Sequence, residues 1–195
     1  MLISEIFHSP QGEGKWIGVP SIFIRTSGCN LRCWFCDTPY TSWNPEGEKM
    51  SVDQILEHIT QFDCEHVVVT GGEPMLSHEI ESLTQRLHAD GKIITIETAG
   101  TILSDVHADL MSISPKLSNS IPVKDPEWAH RHDARRDQPT VIHELIKRHP
   151  YQIKFVVDHR EDIAEIEDYL IRYPEIDRAN VYLMPQGITA EMLAA

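Results

Sequence analysis

Six short apolar runs recur along the 195-residue chain, most of them ending in a turn that contains Gly, Ser, Pro or Cys. Their Ile and Val content is typical of β-strands. The runs occupy residues 21–25, 65–70, 92–97, 110–113, 152–157 and 180–184. Because helical patterns separate several of them, the sequence predicts an α/β fold with a parallel sheet. Such sheets place ligands at the carboxyl ends of their strands, where these turns fall.

Apolar residues recur at helical spacing in four segments between the runs. These segments are 52–59, 80–87, 141–146 and 163–170. Ser51 is positioned to cap the first of these helices. Residues 117–137 are polar and contain proline, which predicts a long loop or insertion. The length of the chain predicts a single domain over residues 1–195, since domains have about 100–200 residues.

The chain carries 17 Lys and Arg against 30 Asp and Glu, a net charge of −13. A surface this negative repels phosphate backbones, which predicts that the protein does not bind nucleic acid. No apolar run is long enough to cross a bilayer, so we expect no membrane partner. The first residues lack the basic start and apolar stretch of a signal peptide, which predicts a cytoplasmic location.

Three of the four cysteines lie within eight residues, directly after the first apolar run. Cys29, Cys33 and Cys36 form a C-x3-C-x2-C array, and without a secretion signal such an array predicts metal ligands rather than disulfides. Three cysteines leave one iron of a cubane cluster open to a small chelating ligand. Two alternatives are a site completed by Cys64 and a zinc site completed by a histidine.

The cysteine array, with Phe35 before its last member, resembles the motif of the radical S-adenosylmethionine enzymes. Further motifs resemble, within that superfamily, the 7-carboxy-7-deazaguanine synthase family. They are Gln-Gly-Glu-Gly at 11–14, Arg25, Gly-Cys-Asn-Leu at 28–31, Cys-Asp-Thr at 36–38, Thr-Gly-Gly-Glu-Pro at 70–74, Glu-Thr-Ala-Gly at 97–100 and Ser-Pro-Lys at 114–116. The cysteine spacing indicates only the superfamily, whereas the Gln-Gly-Glu-Gly and Cys-Asp-Thr motifs narrow the resemblance to the synthases.

The resemblance implies a partial (β/α)6 TIM-like barrel of the radical SAM type. It also implies that Cys29, Cys33 and Cys36 hold a 4Fe-4S cluster whose open iron chelates S-adenosylmethionine. The implied contacts to S-adenosylmethionine are Gly72, Ser114, Pro115, Lys116, Met184, Pro185, Gln186 and Gly187.

The family substrate is 6-carboxy-5,6,7,8-tetrahydropterin, which is converted to 7-carboxy-7-deazaguanine with loss of ammonia. This carbon–nitrogen lyase reaction feeds 7-deazaguanine nucleosides such as queuosine in tRNA. The implied substrate contacts are Pro10, Gln11, Gly12, Arg25 and Thr70, with Glu97 as a weaker candidate that could instead face water. The resemblance also makes Thr38 the ligand of a Mg²⁺ ion.

Arg25 lies in an otherwise apolar run. A buried charge is costly unless it is paired, so this arginine predicts either a bound ligand or an internal carboxylate.

The resemblance further implies a homodimer and a reducing partner protein such as a flavodoxin. The family usually continues past this point with a helix and a final strand, whereas here a helix-like run opens at Thr189 and the sequence stops at Ala195. Either the sequence is truncated here or the C-terminal contacts of the family are missing. His130, His132 and Asp133 lie in the polar stretch, where a solvated cluster is favoured over a metal site.

Two other functions remain open at this stage. Another small radical SAM protein, such as a glycyl-radical activase, would also use three cysteines but would act on a partner protein. A metal-stabilised binding or electron-transfer module would hold a closed cluster or zinc and would not respond to S-adenosylmethionine.

Overall fold

The computed structural model describes residues 1–187 and 189 and contains one sheet. Its eight strands are β1 (Leu2–Pro10), β2 (Pro20–Thr26), β3 (Glu48–Lys49), β4 (His66–Gly71), β5 (Ile93–Thr98), β6 (Leu110–Ile113), β7 (Tyr151–Val157) and β8 (Val181–Pro185). They lie in the order β3-β1-β2-β4-β5-β6-β7-β8. From β2 to β8 every neighbouring pair is parallel. The six predicted runs form these parallel strands, and the α/β prediction is confirmed.

Two strands were not predicted. Strand β1 pairs antiparallel with β2, from Ile3 opposite Thr26 to Pro10 opposite Pro20, and the two-residue β3 pairs with the start of β1. The sequence of β1 mixes polar and apolar residues, and its last two residues, Ser9 and Pro10, resemble a turn. Strands β3 and β8 end the sheet within the described residues, so the barrel is partial, as the family resemblance implied.

Six helices accompany the sheet within the described part of the chain. They are α1 (Pro39–Ser42), α2 (Val52–Ile59), α3 (Ile80–Ala89), α4 (Pro126–Arg136), α5 (Pro139–Arg148) and α6 (Asp162–Arg172). The four predicted helices correspond to α2, α3, α5 and α6. Each buries its apolar stripe in a core shared with the strands, through residues such as Ile55, Leu83, Leu145 and Ile166. Burial of these side chains is the main favourable contribution to folding.

The prediction of a long loop over 117–137 is wrong. The segment contains a short 3₁₀ turn at Ser118–Ser120 and the eleven-residue helix α4. Asp125 caps this helix by accepting a hydrogen bond from the Trp128 N–H, and Pro126 occupies its first turn. The helix buries one side chain, that of His132, so it carries no apolar stripe that periodicity could detect. The predicted solvated cluster at 130–133 is therefore also wrong for His132.

The parallel strands alternate between apolar and polar side chains. In β7, Ile153 and Phe155 belong to the core shared with the helices, whereas Gln152 and Lys154 are buried polar residues on the opposite face. Strand side chains point alternately to the two faces, so the barrel interior receives the polar set. This arrangement leaves a polar cavity inside the barrel.

Two further observations concern the whole chain. Within the described residues, no helix is long and apolar enough to cross a membrane. The helix-like run predicted from Thr189 lies outside the described residues, apart from Thr189 itself.

Replacement of Ser51 tests the start of α2. Ser51 Oγ accepts a hydrogen bond from the Gln54 N–H, and Gln54 Oε1 accepts one from the Ser51 N–H. We expect Ser51→Ala to lower the free energy of unfolding by about 1 kcal/mol in urea denaturation. Ser51→Asp should keep most of the stability because aspartate also caps helices, and equal losses in both variants would contradict this role.

Candidate active site

One cavity of about 430 Å³ lies at the carboxyl ends of the parallel strands. Its volume is in the range of small-molecule sites, about 300–1,000 Å³. The predicted site residues that line it are Gln11, Gly12, Arg25, Cys29, Cys33, Cys36, Thr38, Thr70, Gly72, Ser114, Lys116, Met184, Pro185, Gln186 and Gly187. Two predicted residues do not line it: Pro10 is exposed at the end of β1, and Pro115 is buried in the protein.

Cys29, Cys33 and Cys36 lie on a stretch without regular secondary structure that follows β2; residues 27–38 are called the cysteine loop below. Cys33 is buried, and the other two cysteines are half-buried. The Leu31 N–H donates to Cys29 Sγ at 3.4 Å. Three thiols from one short loop thus reach the same cavity.

Burial strongly affects the chemistry of these thiols. It raises the pKa of Cys29 to about 11 and that of Cys33 to about 12, so both are neutral thiols near pH 7 in the absence of a cation. Bound iron supplies the positive charge that makes such thiols ligate as thiolates. Three soft sulfur donors at a cavity wall therefore fit a 4Fe-4S cluster with one iron open to a second ligand.

The alternatives for the cysteines do not fit the structure. Cys64, the fourth cysteine, precedes β4 at the opposite end of the sheet, where its Sγ donates to Pro20 O at 3.2 Å. Among the described residues, no three His, Cys, Asp or Glu side chains converge on a single metal ion. A structural zinc site needs four such ligands around one ion.

The glycine turn after β4 supports the cysteine loop. A Cβ atom on Gly72 would lie 2.1 Å from Gly28 O, and one on Gly71 would lie 2.0 Å from Thr26 O. Gly71 also has a φ of 127°, which side chains rarely allow. The glycines therefore let two backbone segments touch, which places Gly72 beside the cavity next to the three cysteines.

Glu73 joins this turn to β5. Its carboxylate is buried and accepts hydrogen bonds from Thr98 Oγ1 at 2.8 Å and from the Ala99 N–H at 2.9 Å. Burial raises the pKa of Glu73, and these hydrogen bonds oppose that shift. The Gly-Gly-Glu-Pro motif thus has a structural role here in addition to the cofactor role that the resemblance implies.

The turns after β6 and β8 complete the wall near the cysteines. Lys116 Nζ donates to Ser114 Oγ at 2.7 Å and to Ser114 O at 2.9 Å, and it has no carboxylate partner within the described part of the chain. Gln186 N donates to Val157 O at 2.7 Å, which holds the second turn against the end of β7. Both turns present polar groups to a ligand in the cavity.

Arg25 has an internal carboxylate partner, one of the two outcomes predicted for it. Its Nε donates to Glu5 Oε1 at 2.7 Å, and its guanidinium lies 5.5 Å from the centre of the Phe7 ring. Its terminal nitrogens make no hydrogen bond to another described residue. These N–H groups can therefore bind a ligand carboxylate in the fork-shaped geometry that arginine favours.

Lys154 is the buried charge that the sequence analysis missed. Its Nζ lies 3.0 Å from Glu97 Oε1 and 2.9 Å from Glu13 Oε2, and its side chain is 7% exposed. Burial disfavours both charges, but the mutual attraction and the hydrogen bond from Thr70 outweigh it, so the pKa of Glu97 is lowered. The pKa of Lys154 is raised by its two carboxylate partners, against the effect of burial. Glu97 is thus an ion-paired group of the cavity rather than a carboxylate facing water.

Lys154 and Gln152 also hold the loop between β1 and β2. Gln152 Oε1 accepts a hydrogen bond from the Lys15 N–H at 2.8 Å, and Glu13 pairs with Lys154. A signal for both residues was present in the sequence. Like Arg25, Lys154 interrupts an apolar strand at a position that faces the same side as Gln152.

Thr38 lies at the other end of the cysteine loop. Its side chain is buried, and its Oγ1 accepts a hydrogen bond from Thr41 Oγ1 at 3.3 Å. Asp37 lines the same cavity. A hydroxyl and a carboxylate are both oxygen donors of the kind that Mg²⁺ binds.

Comparison with known proteins agrees with this geometry. The model of the radical SAM superfamily matches residues 23–170. The crystal structure of QueE from Escherichia coli superposes with a TM-score of 0.74 at 25% identity, covering 99% of this chain and 86% of that one. A structure of TYW1 with a lysine-pyruvate adduct bound matches with a TM-score of 0.56 at 14% identity and supports the fold alone.

Two curated relatives, both named 7-carboxy-7-deazaguanine synthase, match nearly the full chain. The protein from Rhodopirellula baltica is 48% identical, over 100% of this chain and 77% of its own length. The protein from Halobacterium salinarum is 46% identical, over 99% of this chain and 80% of its own length.

A partial parallel barrel with three thiols at its carboxyl end is the architecture of the radical SAM class. That class uses a 4Fe-4S cluster and S-adenosylmethionine. The chain belongs to the radical SAM superfamily and, within it, to the 7-carboxy-7-deazaguanine synthase family. This membership does not favour a glycyl-radical activase or a non-catalytic metal-stabilised module.

Replacement of Gly72 tests the backbone contact beside the cysteines. In Gly72→Ala, the new Cβ must displace Gly28 O, so we expect the free energy of unfolding to fall by about 2 kcal/mol. Gly12→Ala is the matched control because nothing lies within 4 Å of its added Cβ. Similar urea midpoints for the two variants would show that the contact is unimportant.

Replacement of Lys154 tests the buried ion pairs. Lys154→Met leaves two carboxylates without their partner, and we expect a loss of about 2 kcal/mol at pH 7. This is less than for a fully buried pair because Glu13 and Glu97 are 50% and 34% exposed. The pKa of Glu97 is lowered in the folded protein, so the loss should shrink as the pH falls through that pKa.

The control for this prediction is Lys154→Arg, which keeps the charge and should retain most of the stability. Urea denaturation of both variants across a pH series provides the measurement. A loss in Lys154→Met that does not change with pH would contradict the ionic origin of the effect.

Proposed function

We propose that this chain is a 7-carboxy-7-deazaguanine synthase, a carbon–nitrogen lyase. It converts 6-carboxy-5,6,7,8-tetrahydropterin to 7-carboxy-7-deazaguanine with loss of ammonia, in the 7-deazaguanine pathway that leads to queuosine. The observation that carries the proposal is the cavity itself, in which three thiols face a wall of paired charged groups. Family membership supplies the reaction.

The cysteine side of the cavity holds the cofactors. Cys29, Cys33 and Cys36 would hold the 4Fe-4S cluster, with one iron left for S-adenosylmethionine. The cluster with bound S-adenosylmethionine would supply the radical chemistry of the reaction. The chain supplies the S-adenosylmethionine contacts from three turns, with Gly72 after β4, Ser114, Pro115 and Lys116 after β6, and Met184, Pro185, Gln186 and Gly187 at the end of β8.

Pro115 is buried and does not line the cavity itself. It contributes by positioning the turn, whose neighbouring residues Ser114 and Lys116 line the cavity. The hydrogen bonds from Lys116 to Ser114 keep this turn compact.

The charged side of the cavity binds the pterin. Arg25 donates its terminal N–H groups to the substrate carboxylate, while Glu5 holds the guanidinium in place. Thr70 and Glu97, which are joined by a 2.7 Å hydrogen bond, face the polar edge of the bicyclic ring. Gln11 and Gly12 contribute backbone and amide groups, and Pro10 orients this segment from outside the cavity.

Thr38 would hold a Mg²⁺ ion, which would supply positive charge for binding the substrate carboxylate. Support comes from the buried Thr38 hydroxyl beside Asp37 in the same cavity, since Mg²⁺ takes few protein ligands and keeps substrate or water oxygens in its shell.

The partners and location follow from the same proposal. We propose that residues 1–195 form one radical SAM core domain that works in the cytoplasm as a homodimer. A reducing protein such as a flavodoxin supplies the electron to the cluster. The substrate is a small molecule, and the net charge of −13 supports the absence of nucleic-acid and membrane partners.

Anaerobic turnover tests the proposed function. The protein is reconstituted with iron and sulfide and given S-adenosylmethionine, reductant, Mg²⁺ and 6-carboxytetrahydropterin. Mass spectrometry should detect 7-carboxy-7-deazaguanine from the wild type and from Cys64→Ala, whose thiol lies outside the cavity. Cys33→Ala should form none, because the cluster loses one of its three ligands.

The other outcomes separate the parts of the proposal. Formation of 5′-deoxyadenosine without the deazaguanine product would reject the substrate and keep the radical chemistry. If a protein with a full cluster formed neither 5′-deoxyadenosine nor the deazaguanine product, both the substrate and the radical chemistry would be rejected. Loss of iron from Cys64→Ala would place that thiol among the cluster ligands.

A further inference from the structure

His132 on α4 is a fully buried histidine that the proposed reaction does not use. Its Nδ1 lies 3.1 Å from the backbone nitrogen of Arg32, and its Nε2 lies 2.9 Å from Ser120 Oγ. Arg32 stands in the cysteine loop, between Cys29 and Cys33. A side chain from a distant helix thus accepts a hydrogen bond from the backbone of the loop that carries the cluster ligands.

The hydrogen-bond network determines the tautomer of this histidine. A backbone N–H can only donate, so Nδ1 must be the unprotonated acceptor for Arg32. Ser120 Oγ donates to Leu117 O at 2.6 Å and can therefore accept from Nε2–H. Burial lowers the pKa of His132 to about 4, which agrees with a neutral ring. Every polar atom of the imidazole is used.

Further contacts join the same two segments. The Trp34 N–H donates to Ser120 O at 3.3 Å, and Trp34 Nε1 donates to Asn119 O at 2.6 Å. The Arg32 guanidinium lies 4.1 Å from the centre of the Trp128 ring on α4, a cation–π contact. The cysteine loop is therefore held from its backbone and from two of its side chains.

The 3₁₀ turn at Ser118–Ser120, which contacts the cysteine loop, is itself joined to the barrel. Asn119 Nδ2 donates to Asp162 Oδ2 of α6 at 2.7 Å and to Val156 O of β7 at 3.0 Å. The N–H of Ser118 donates to Glu165 of α6 at 2.9 Å. These contacts attach the turn before α4 to β7 and α6.

This support matters because the cysteine loop has no regular secondary structure to satisfy its N–H groups. The Leu31 N–H donates a hydrogen bond to Cys29 Sγ. The Arg32 N–H donates to His132 Nδ1, and the Trp34 N–H donates to Ser120 O. Buried backbone groups need such partners, and a loop without them is free to move. Movement of the loop would change the position and solvent exposure of Cys33, both of which affect an iron–sulfur cluster.

We propose that His132 is a positioning residue that holds the cysteine loop in the geometry that retains and tunes the 4Fe-4S cluster. The inference rests on the cluster part of the proposed function and does not depend on the pterin substrate. The segment at 117–137 is then a support for the cluster loop.

Three variants of His132 separate hydrogen bonding from packing. Asparagine places its Oδ1 at the position of Nδ1 and can still accept from the Arg32 N–H. Glutamine places its amide nearer to the position of Nε2 and leaves the Arg32 N–H without an acceptor. Leucine removes both interactions. His130→Asn is the matched control, because His130 is exposed on the same helix.

The first measurement uses the apo protein and records hydrogen exchange at the Arg32 amide. The second uses the reconstituted protein without substrate and records iron loss to a chelator, the reduction potential and the electron paramagnetic resonance spectrum. We expect His132→Gln and His132→Leu to lose iron about tenfold faster and to exchange the Arg32 amide faster, with a shifted potential. His132→Asn should stay within about twofold of the wild type, as a retained acceptor predicts.

Two results would overturn the proposal: iron loss and potential in His132→Leu equal to those of His130→Asn, or His132→Asn as impaired as His132→Gln. If His132→Leu does not fold, the comparison of asparagine with glutamine still decides the question. Because iron retention is measured without pterin, a failed turnover assay leaves this test intact.

Discussion

The contact between two backbone segments, the glycine turn after β4 and the start of the cysteine loop, is the constraint on which the site depends. The Gly72 N–H donates to Thr26 O, and the Glu73 N–H donates to Gly28 O. The absence of side chains at Gly71 and Gly72 makes this approach possible. Because the cysteine loop leaves β2 at this contact, the position of Cys29 beside the glycine turn depends on it.

Glu73 extends the same constraint to β5. Its carboxylate takes hydrogen bonds from Thr98 and from the Ala99 N–H, so the ends of three neighbouring strands, β2, β4 and β5, are joined by polar contacts. On the opposite side of the cysteine loop, α4 and Ser120 supply acceptors for its N–H groups. The loop is therefore held between the barrel and a helix that contributes almost nothing to the apolar core.

The interior of the barrel contains charged side chains that are stabilised by ion pairs. Arg25, Glu97 and Lys154 are charged groups partly or fully withdrawn from water, and each has an opposite charge within 3.0 Å. Such pairs seldom add much stability, but they hold side chains in fixed directions. Here they leave the terminal N–H groups of Arg25 available to a cavity that Glu97 and the cysteines also line.

The sequence alone determined the parallel strands and four of the helices, and the family resemblance that it carries named about half of the residues that line the cavity. Alternating apolar runs, helical stripes and the cysteine spacing are local patterns, so they can be detected without knowing which segments meet. The helix α4 was missed because it buries one side chain, His132, and has no apolar stripe. Lys154 interrupts an apolar strand, but its partners could not be predicted because Glu13 and Glu97 are 141 and 57 residues away in the chain. Only the tertiary structure could decide these contacts, because hydrogen bonds and ion pairs between distant segments depend on the distances that folding creates.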